Sequence, residues 1–159
     1  MKNLAIILLC LLAVFGLTSC GADDSDTIAN REIRDIMYDI SNHFNLKNAE
    51  GIMEHLHIEY LHKGLISYHF NDLWLDRMTQ FSLLEIEILY IELQENKAIV
   101  HSKNTFSSAF ETQVLNEPED SGDISYFIRD NGVWRIYGNQ LWSKANANLQ
   151  RKGNLLVTR

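Results

Sequence analysis

Cysteine is almost absent from this chain of 159 residues, and Pro118 is its only proline. The two cysteines, Cys10 and Cys20, lie near the N-terminus, so the rest of the chain has no thiol for a disulfide, a zinc–thiolate site or a nucleophile. Basic residues are also few, with 14 Lys and Arg against 21 Asp and Glu. This acidic balance argues against nucleic acid as a partner and against charge-driven binding to anionic lipid.

Long apolar runs are missing as well, except at the N-terminus. Lys2 precedes about 14 mostly apolar residues, which is fewer than the roughly 18–20 that a membrane-spanning helix needs. A basic start, a short apolar run and small residues after it are the layout of a secretory signal peptide. The run ends in Leu17-Thr18-Ser19-Cys20, which resembles the lipobox of bacterial lipoproteins.

The lipobox resemblance implies cleavage before Cys20 and attachment of fatty acids such as palmitate to that residue. Membrane lipid is then a partner through acylated Cys20, because two or more acyl chains hold a protein stably on a bilayer. We therefore expect an exported lipoprotein, anchored to a membrane of the cell envelope, with the leaflet left open. Residues 1–19 are the predicted signal peptide, and the small, acidic residues 20–26 are a predicted tether.

Residues 27–142 have the pattern of one domain that begins with helices. After a cap at Asp26 or Thr27, apolar residues recur every three or four positions to about Asn45, which predicts an amphipathic helix. Its apolar positions are Ile33, Ile36, Met37, Ile40 and Phe44. Asn48 begins a second, shorter helix, and Asn71 or Asp72 can cap a third. The segment from His57 to Phe70 fits either a short hairpin or irregular structure.

The second half of the domain has the two-residue period of strands. Alternation begins at Leu84 and weakens after Leu89, which indicates either a strand buried on both faces or a β-bulge. Further strands are predicted over residues 98–106, 110–115, 124–129 and 133–139, with Asp130-Asn131-Gly132 as a hairpin turn between the last two. Residues 143–159 form a polar tail without a clear pattern. Helices followed by antiparallel strands predict an α+β fold.

Three segments resemble the NTF2-like (SnoaL/ketosteroid-isomerase-like) superfamily. They are Phe44-Asn45-Leu46-Lys47-Asn48-Ala49, the stretch from His57 to Gly64, and the terminal hairpin from Tyr126 to Ile136. The resemblance implies a cone in which N-terminal helices pack on a curved antiparallel sheet around a pocket. It does not imply catalysis, because the superfamily includes isomerases, dehydratases and non-enzymatic binding modules.

Histidines crowd one short stretch of the chain. His55, His57 and Glu59 would share a face of a strand, and His55, Glu59 and His62 would share a face of a helix. Zinc accepts either set, but no standard spacing such as His-Glu-x-x-His is present. We therefore interpret the stretch as a partly exposed connector and predict no metal site. With no glycine-rich phosphate loop either, no cofactor is expected.

The resemblance also implies candidate site residues. Enzymes of the superfamily use a pocket carboxylate or histidine as base with a tyrosine from the first helix, which here points to Tyr38 with His57 or Asp76. A pocket for a small apolar ligand could be lined by aromatic residues, which serve equally well as core packing. These residues are Tyr60, Trp74, Tyr90, Tyr126 and Trp134.

The sequence thus predicts a lipid-anchored envelope protein whose NTF2-like domain is a small-molecule-binding or protein-interaction module, with a homodimer as one arrangement. The alternative is a cofactor-free enzyme of the same fold, performing proton transfer of the isomerase or dehydratase type. A buried ionisable pair in a pocket would favour the enzyme. A pocket filled by side chains beside an exposed apolar sheet face would favour the interaction module.

Overall fold

A computed structural model describes residues 23–142, so the predicted signal peptide, Cys20 and the polar tail lie outside the described residues. The chain divides into two units, one ending at Arg31 and the other beginning at Glu32. Among the described residues, no helix is long and apolar enough to cross a membrane. The helices are α1 (Asp23–Asn45), α2 (Ala49–Met53) and α3 (Ser67–Gln80), and the strands are β1 (Leu61–His62), β2 (Leu65–Ile66), β3 (Leu83–Gln94), β4 (Lys97–Ser107), β5 (Thr112–Glu117), β6 (Tyr126–Asp130) and β7 (Val133–Ile136).

Strand β4 is the centre of an antiparallel five-stranded sheet. One edge of β4 pairs with β3 along its whole length. The other edge is shared, since residues 97–99 pair with β6 and residues 102–107 pair with β5. Strand β7 then pairs with β6 across the predicted turn. Strands β1 and β2 form a separate two-residue hairpin, which settles the ambiguous segment as a hairpin.

A β-bulge at Leu89 explains the weakened alternation in β3. Ile88 pairs with Ser102 and Tyr90 pairs with His101, so Leu89 has no partner on β4. The extra residue exchanges the faces of the strand, and Tyr90 lies half exposed on the outer face. The bulge alternative of the sequence analysis is therefore confirmed.

The core lies between α1, α3 and the inner face of the sheet. Four of the five predicted apolar positions of α1 are inaccessible to solvent, namely Ile33, Met37, Ile40 and Phe44. The fifth, Ile36, is only partly buried and lies at the edge of the stripe. Phe44 contacts the edges of Trp74 from α3 and Phe106 from β4, with ring centroids 5.9 and 5.4 Å apart. Phe70 stacks on Trp74 at 5.5 Å. This ring cluster fills the space between the helices and the sheet.

Several element boundaries differ from the predicted ones. Strand β6 begins at Tyr126 rather than at residue 124, and β7 ends at Ile136 rather than at residue 139. The described part of helix α1 begins at Asp23, ahead of the predicted cap at Asp26 or Thr27. Helix α3 begins at Ser67, directly after β2, and not at Asn71 or Asp72. Strand β5 starts and ends two residues later than predicted, which buries Glu117 at its end and leaves Phe110 fully exposed before it.

Trp134 in β7 is expected to be a stabilising core residue, whereas its neighbour Arg135 is not. Trp134 is 3% exposed, and Arg135 only donates to the Glu54 carbonyl at 2.6 Å at the surface. We expect Trp134→Ala to reduce the free energy of unfolding by roughly 3 kcal/mol, the lower end of the usual range of about 3–5 kcal/mol, since truncation also removes a buried indole N–H without a hydrogen-bond partner. Arg135→Ala should change it by less than about 1 kcal/mol. Urea unfolding of both variants tests the register of the hairpin, and the opposite ranking would contradict it.

Candidate functional site

A buried carboxylate, Asp123, lies at the centre of a polar network inside the fold. It accepts hydrogen bonds at 2.8 Å from Trp74 Nε1 and from Arg77 Nη1, and another from the Ser121 hydroxyl. Its side chain is 4% exposed and that of Arg77 is 12% exposed. Burial alone would raise the pKa of Asp123, but the Arg77 guanidinium and these hydrogen bonds outweigh it and hold the pKa below its ordinary value. Asp123 is therefore an ionised, fully paired group.

Glu117 is a second buried carboxyl group, and it is only partly satisfied. Its Oε2 accepts from the Gly122 amide and from Ser125 Oγ, the latter at 3.4 Å, whereas Oε1 is buried without a hydrogen-bond partner. Burial, and then the nearby Asp123 carboxylate, raise the pKa of Glu117 to about 7. At neutral pH this group is close to half protonated.

Two further polar residues of the β1 region enclose the network. Tyr60 donates its hydroxyl to the Asp123 carbonyl at 3.1 Å, and burial raises its pKa. His62 donates from Nε2 to the Ser121 carbonyl at 2.8 Å, while its Nδ1 accepts from the Asn139 amide at 3.3 Å. Burial lowers the pKa of His62, in keeping with a neutral imidazole. The network holds α3, β1 and the β5–β6 loop together.

Aromatic rings close this network off from one side. The Arg77 guanidinium lies 5.3 Å from the ring centroid of Trp74 and 5.2 Å from that of Phe106. Both rings are at most 1% exposed. The interior thus contains the buried ionisable pair that favours an enzyme, but the pair is neutralised and packed against rings, which suits a structural role.

An open pocket lies elsewhere, along the surface of α1. Its volume is about 340 Å³, and it is lined by Asp35, Ile36, Tyr38, Asp39, Asn42 and His55. We call it the α1 pocket. Tyr38 is 50% exposed there. The lining combines two carboxylates, an imidazole and an amide with the apolar surface of Ile36 and the Tyr38 ring, so it can bind a small molecule through hydrogen bonds on one side and apolar contact on the other.

Asp39 of the α1 pocket links two histidines, of which only His55 lines the pocket. Its Oδ2 lies 2.9 Å from His55 Nε2 and 3.6 Å from His43 Nε2. Among residues 23–142, these three side chains are the only group of three or more potential ligands close enough together to hold a metal ion. Asp39 and His43 are one helical turn apart on α1, and the chain turn after α2 supplies His55.

The other predicted site residues are dispersed. His57 is buried, with its Nε2 3.5 Å from Asp130, and Asp76 is exposed and bonded to Gln80. Of the aromatic candidates, Tyr60, Trp74 and Trp134 are buried, and Tyr90 stacks on His101 on the outer face at 4.1 Å.

The last aromatic candidate, Tyr126, lines a second cavity. This cavity has a volume of about 170 Å³ and includes Lys97 and Tyr137 in its wall.

The sequence analysis did not identify Asp123, Arg77, Glu117 or the pair formed by Asp39 and His43. Arg77 is 46 residues from Asp123 in the chain, and only the fold brings it to the two carboxyl groups. The last pair had a readable signal, since residues four apart on an amphipathic helix share a face. The sequence analysis considered the histidines after Asn48 as a possible site and did not pair them with residues of α1.

Comparison with known proteins indicates the fold but no function. No protein-family model matches the chain, and no curated protein sequence matches it. Among solved structures, a protein of unknown function from Mycobacterium tuberculosis is similar with a TM-score of 0.56 at 15% identity, covering 76% of this chain and 74% of that one. An NTF2-like protein of unknown function from Pseudomonas putida gives 0.52 at 13% identity, over 70% and 84% of the two chains.

A proposed scytalone dehydratase from Novosphingobium aromaticivorans is also similar, with a TM-score of 0.52 at 13% identity over 74% of this chain and 85% of that one. Helices packed on a curved antiparallel sheet, together with these neighbours, show that the chain has the NTF2-like fold. The predicted fold class is confirmed.

Proposed function

We propose that this protein is a lipid-anchored component of the cell envelope whose NTF2-like domain binds a small molecule in the α1 pocket. One observation carries the binding role: the α1 pocket is open and lined by unburied polar groups, whereas rings and a paired charge network fill the interior. The signal-peptide layout ending in Leu17-Thr18-Ser19-Cys20 supports the anchoring role.

The expected ligand carries hydrogen-bond donors next to an apolar group. Asp35 and Asp39 offer acceptors, while Ile36 and the Tyr38 ring offer an apolar surface. Native mass spectrometry of protein purified from its own membranes should show a bound small-molecule mass. Asn42→Trp, which fills the pocket, should remove that mass, and Tyr68→Ala, which changes an exposed tyrosine outside the pocket, should retain it. A mass retained by Asn42→Trp would place the ligand elsewhere.

A Cys20→Ala variant is expected to lose lipid attachment and to accumulate as unprocessed precursor. The thiol of Cys20 is the predicted acylation site, and no other cysteine follows it in the chain. Metabolic labelling with radioactive palmitate, followed by membrane fractionation, measures both effects. Equal labelling of the variant and the wild type would exclude Cys20 as the lipidated residue.

A proton-transfer enzyme is the second candidate, because His55 and Asp39 form a 2.9 Å pair beside the Tyr38 ring in the same pocket. A carboxylate–imidazole pair of this kind can act as a general base. Since a proposed scytalone dehydratase shares the fold, scytalone is the first substrate to test. Turnover that is abolished by His55→Ala and retained in Tyr68→Ala would favour the enzyme over the binding module.

A further inference from the structure

We propose that Asp39, His43 and His55 bind a divalent transition-metal ion of the zinc class beside the α1 pocket. The three ligand atoms lie within 4.8 Å of one another, and the two Nε2–Oδ2 distances are 2.9 and 3.6 Å. Metal–ligand bonds of about 2.0–2.2 Å in a tetrahedron place neighbouring ligand atoms about 3.4 Å apart. The observed distances lie on either side of that value, so small side-chain rotations complete the site.

The surrounding backbone already positions both histidines. The His43 ring lies against Gly51, where a Cβ atom would be 2.3 Å from His43 Nδ1, so any other residue at position 51 would displace the ring. The carbonyl of His55 accepts a hydrogen bond of 2.9 Å from the Ile136 amide, which ties this residue to the end of β7. The position of the His43 ring and the backbone of His55 are therefore set before an ion arrives.

Three protein ligands leave one position of a tetrahedral ion open, which is the arrangement of zinc sites that bind exogenous molecules. The α1 pocket adjoins the three ligands, since Asp39 and His55 line it. The ion would therefore offer its fourth position to a molecule in the pocket. This inference extends the proposed small-molecule function. It rests on that function only because the metal ion and the small molecule would use the same pocket.

Asn48 limits the affinity of the site through the tautomer of His43. Its Oδ1 accepts from the Gly51 amide at 3.1 Å as the cap of α2, so its Nδ2 is the atom that donates to His43 Nδ1, also at 3.1 Å. This arrangement favours the His43 tautomer with its proton on Nε2, on the side of Asp39. For metal to bind Nε2, this proton must leave to solvent and Nδ1 must take one up, and the Asn48 amide must turn its oxygen toward the ring.

Asn48→Asp should therefore strengthen metal binding. An aspartate can accept from both the Gly51 amide and a protonated His43 Nδ1, which leaves Nε2 free for the ion without loss of the helix cap. Second-shell partners of metal-bound histidines typically change affinity by about 10–100-fold. We expect Asn48→Asp to lower the zinc dissociation constant about tenfold.

The test is a zinc titration of the full-length mature protein in detergent, in competition with a chromophoric chelator and with no organic ligand present. Wild type should bind one equivalent, Asn48→Asp should bind it about tenfold more tightly, and His55→Ala and Asp39→Asn should lose it. His69→Ala, which removes a histidine outside the cluster, should match the wild type.

Circular dichroism checks that each variant is folded, which is expected because Asp39 is 49% and His55 20% exposed. Absence of binding in folded wild type and Asn48→Asp, or equal binding in wild type and His55→Ala, would overturn the proposal. Such a result would leave the proposed function standing if the small-molecule mass still depended on the α1 pocket. If zinc still bound but the bound small-molecule mass no longer depended on the α1 pocket, the metal site would stand and the proposed function would fail.

Discussion

Replacing Asp123 by alanine should destabilise the domain by about 3–5 kcal/mol, which is a large share of the stability of a single domain. The variant would leave the Arg77 guanidinium, 12% exposed and packed between Trp74 and Phe106, without its counter-charge. It would also leave the Trp74 indole N–H without its acceptor. An unpaired buried cation costs far more than the pair itself contributes.

Urea unfolding, monitored by circular dichroism, measures this loss of stability. Two further variants serve as controls. Glu119→Ala removes an exposed carboxylate from the same loop and should change stability by less than about 0.5 kcal/mol. Combining Asp123→Leu with Arg77→Met removes both charges and should recover part of the loss, because apolar replacement of a buried pair is often nearly neutral. An Asp123→Ala protein as stable as Glu119→Ala would mean that the network is hydrated and unimportant.

Glu117→Gln is expected to stabilise the protein at alkaline pH and to make little difference in acid. The folded-state pKa of Glu117 is raised to about 7 from an ordinary 4.5, so the folded state favours the protonated form. Its contribution to stability is full below pH 4.5 and is lost as the pH rises through 7. A shift of this size corresponds to an order of 3 kcal/mol, and glutamine has the neutral form at every pH.

The measurement is the difference in unfolding free energy between Glu117→Gln and wild type, taken every half unit from pH 4.5 to 8.5. The pH dependence of wild-type stability cannot be used alone, because His62 changes stability with pH in the direction opposite to Glu117. Its lowered pKa disfavours the imidazolium, so that His62 reduces stability as the pH falls below its ordinary value of 6.5. The difference should grow with pH and level off above pH 7. A difference that is constant with pH would show that Glu117 titrates normally.

The amphipathic stripe of α1, the terminal hairpin and the bulge in β3 could be predicted because each depends on residues close together in the chain. Periodicity of 3.6 or two residues is set by local geometry. The position of β5 was less predictable, since its register against β4 is fixed by pairing with residues 102–107 and not by its own alternation. The buried network was beyond prediction, because Arg77 and Asp123 are 46 residues apart in the chain.

Distance along the chain also explains why the sequence analysis considered the wrong partners for His55. His57 and His62 are near His55 in sequence, yet one lies beside Asp130 and the other beside Ser121. The groups that do meet His55 come from α1, 12 and 16 residues earlier. A run of histidines in the sequence shows a local enrichment in one residue type. A binding site also requires that the side chains lie on the same surface of the fold.

The bond between Arg77 and Asp123 joins two parts of the chain that are synthesised at different times. A ribosome releases the chain from its N-terminus, so α1, α2 and α3 emerge long before the residue that neutralises the cation of α3. Before Asp123 has been synthesised, the nascent chain cannot form this ion pair, and its native packing is incomplete. For a protein that we propose to be exported, we expect this separation to help keep the emerging polypeptide unfolded until it has been translocated.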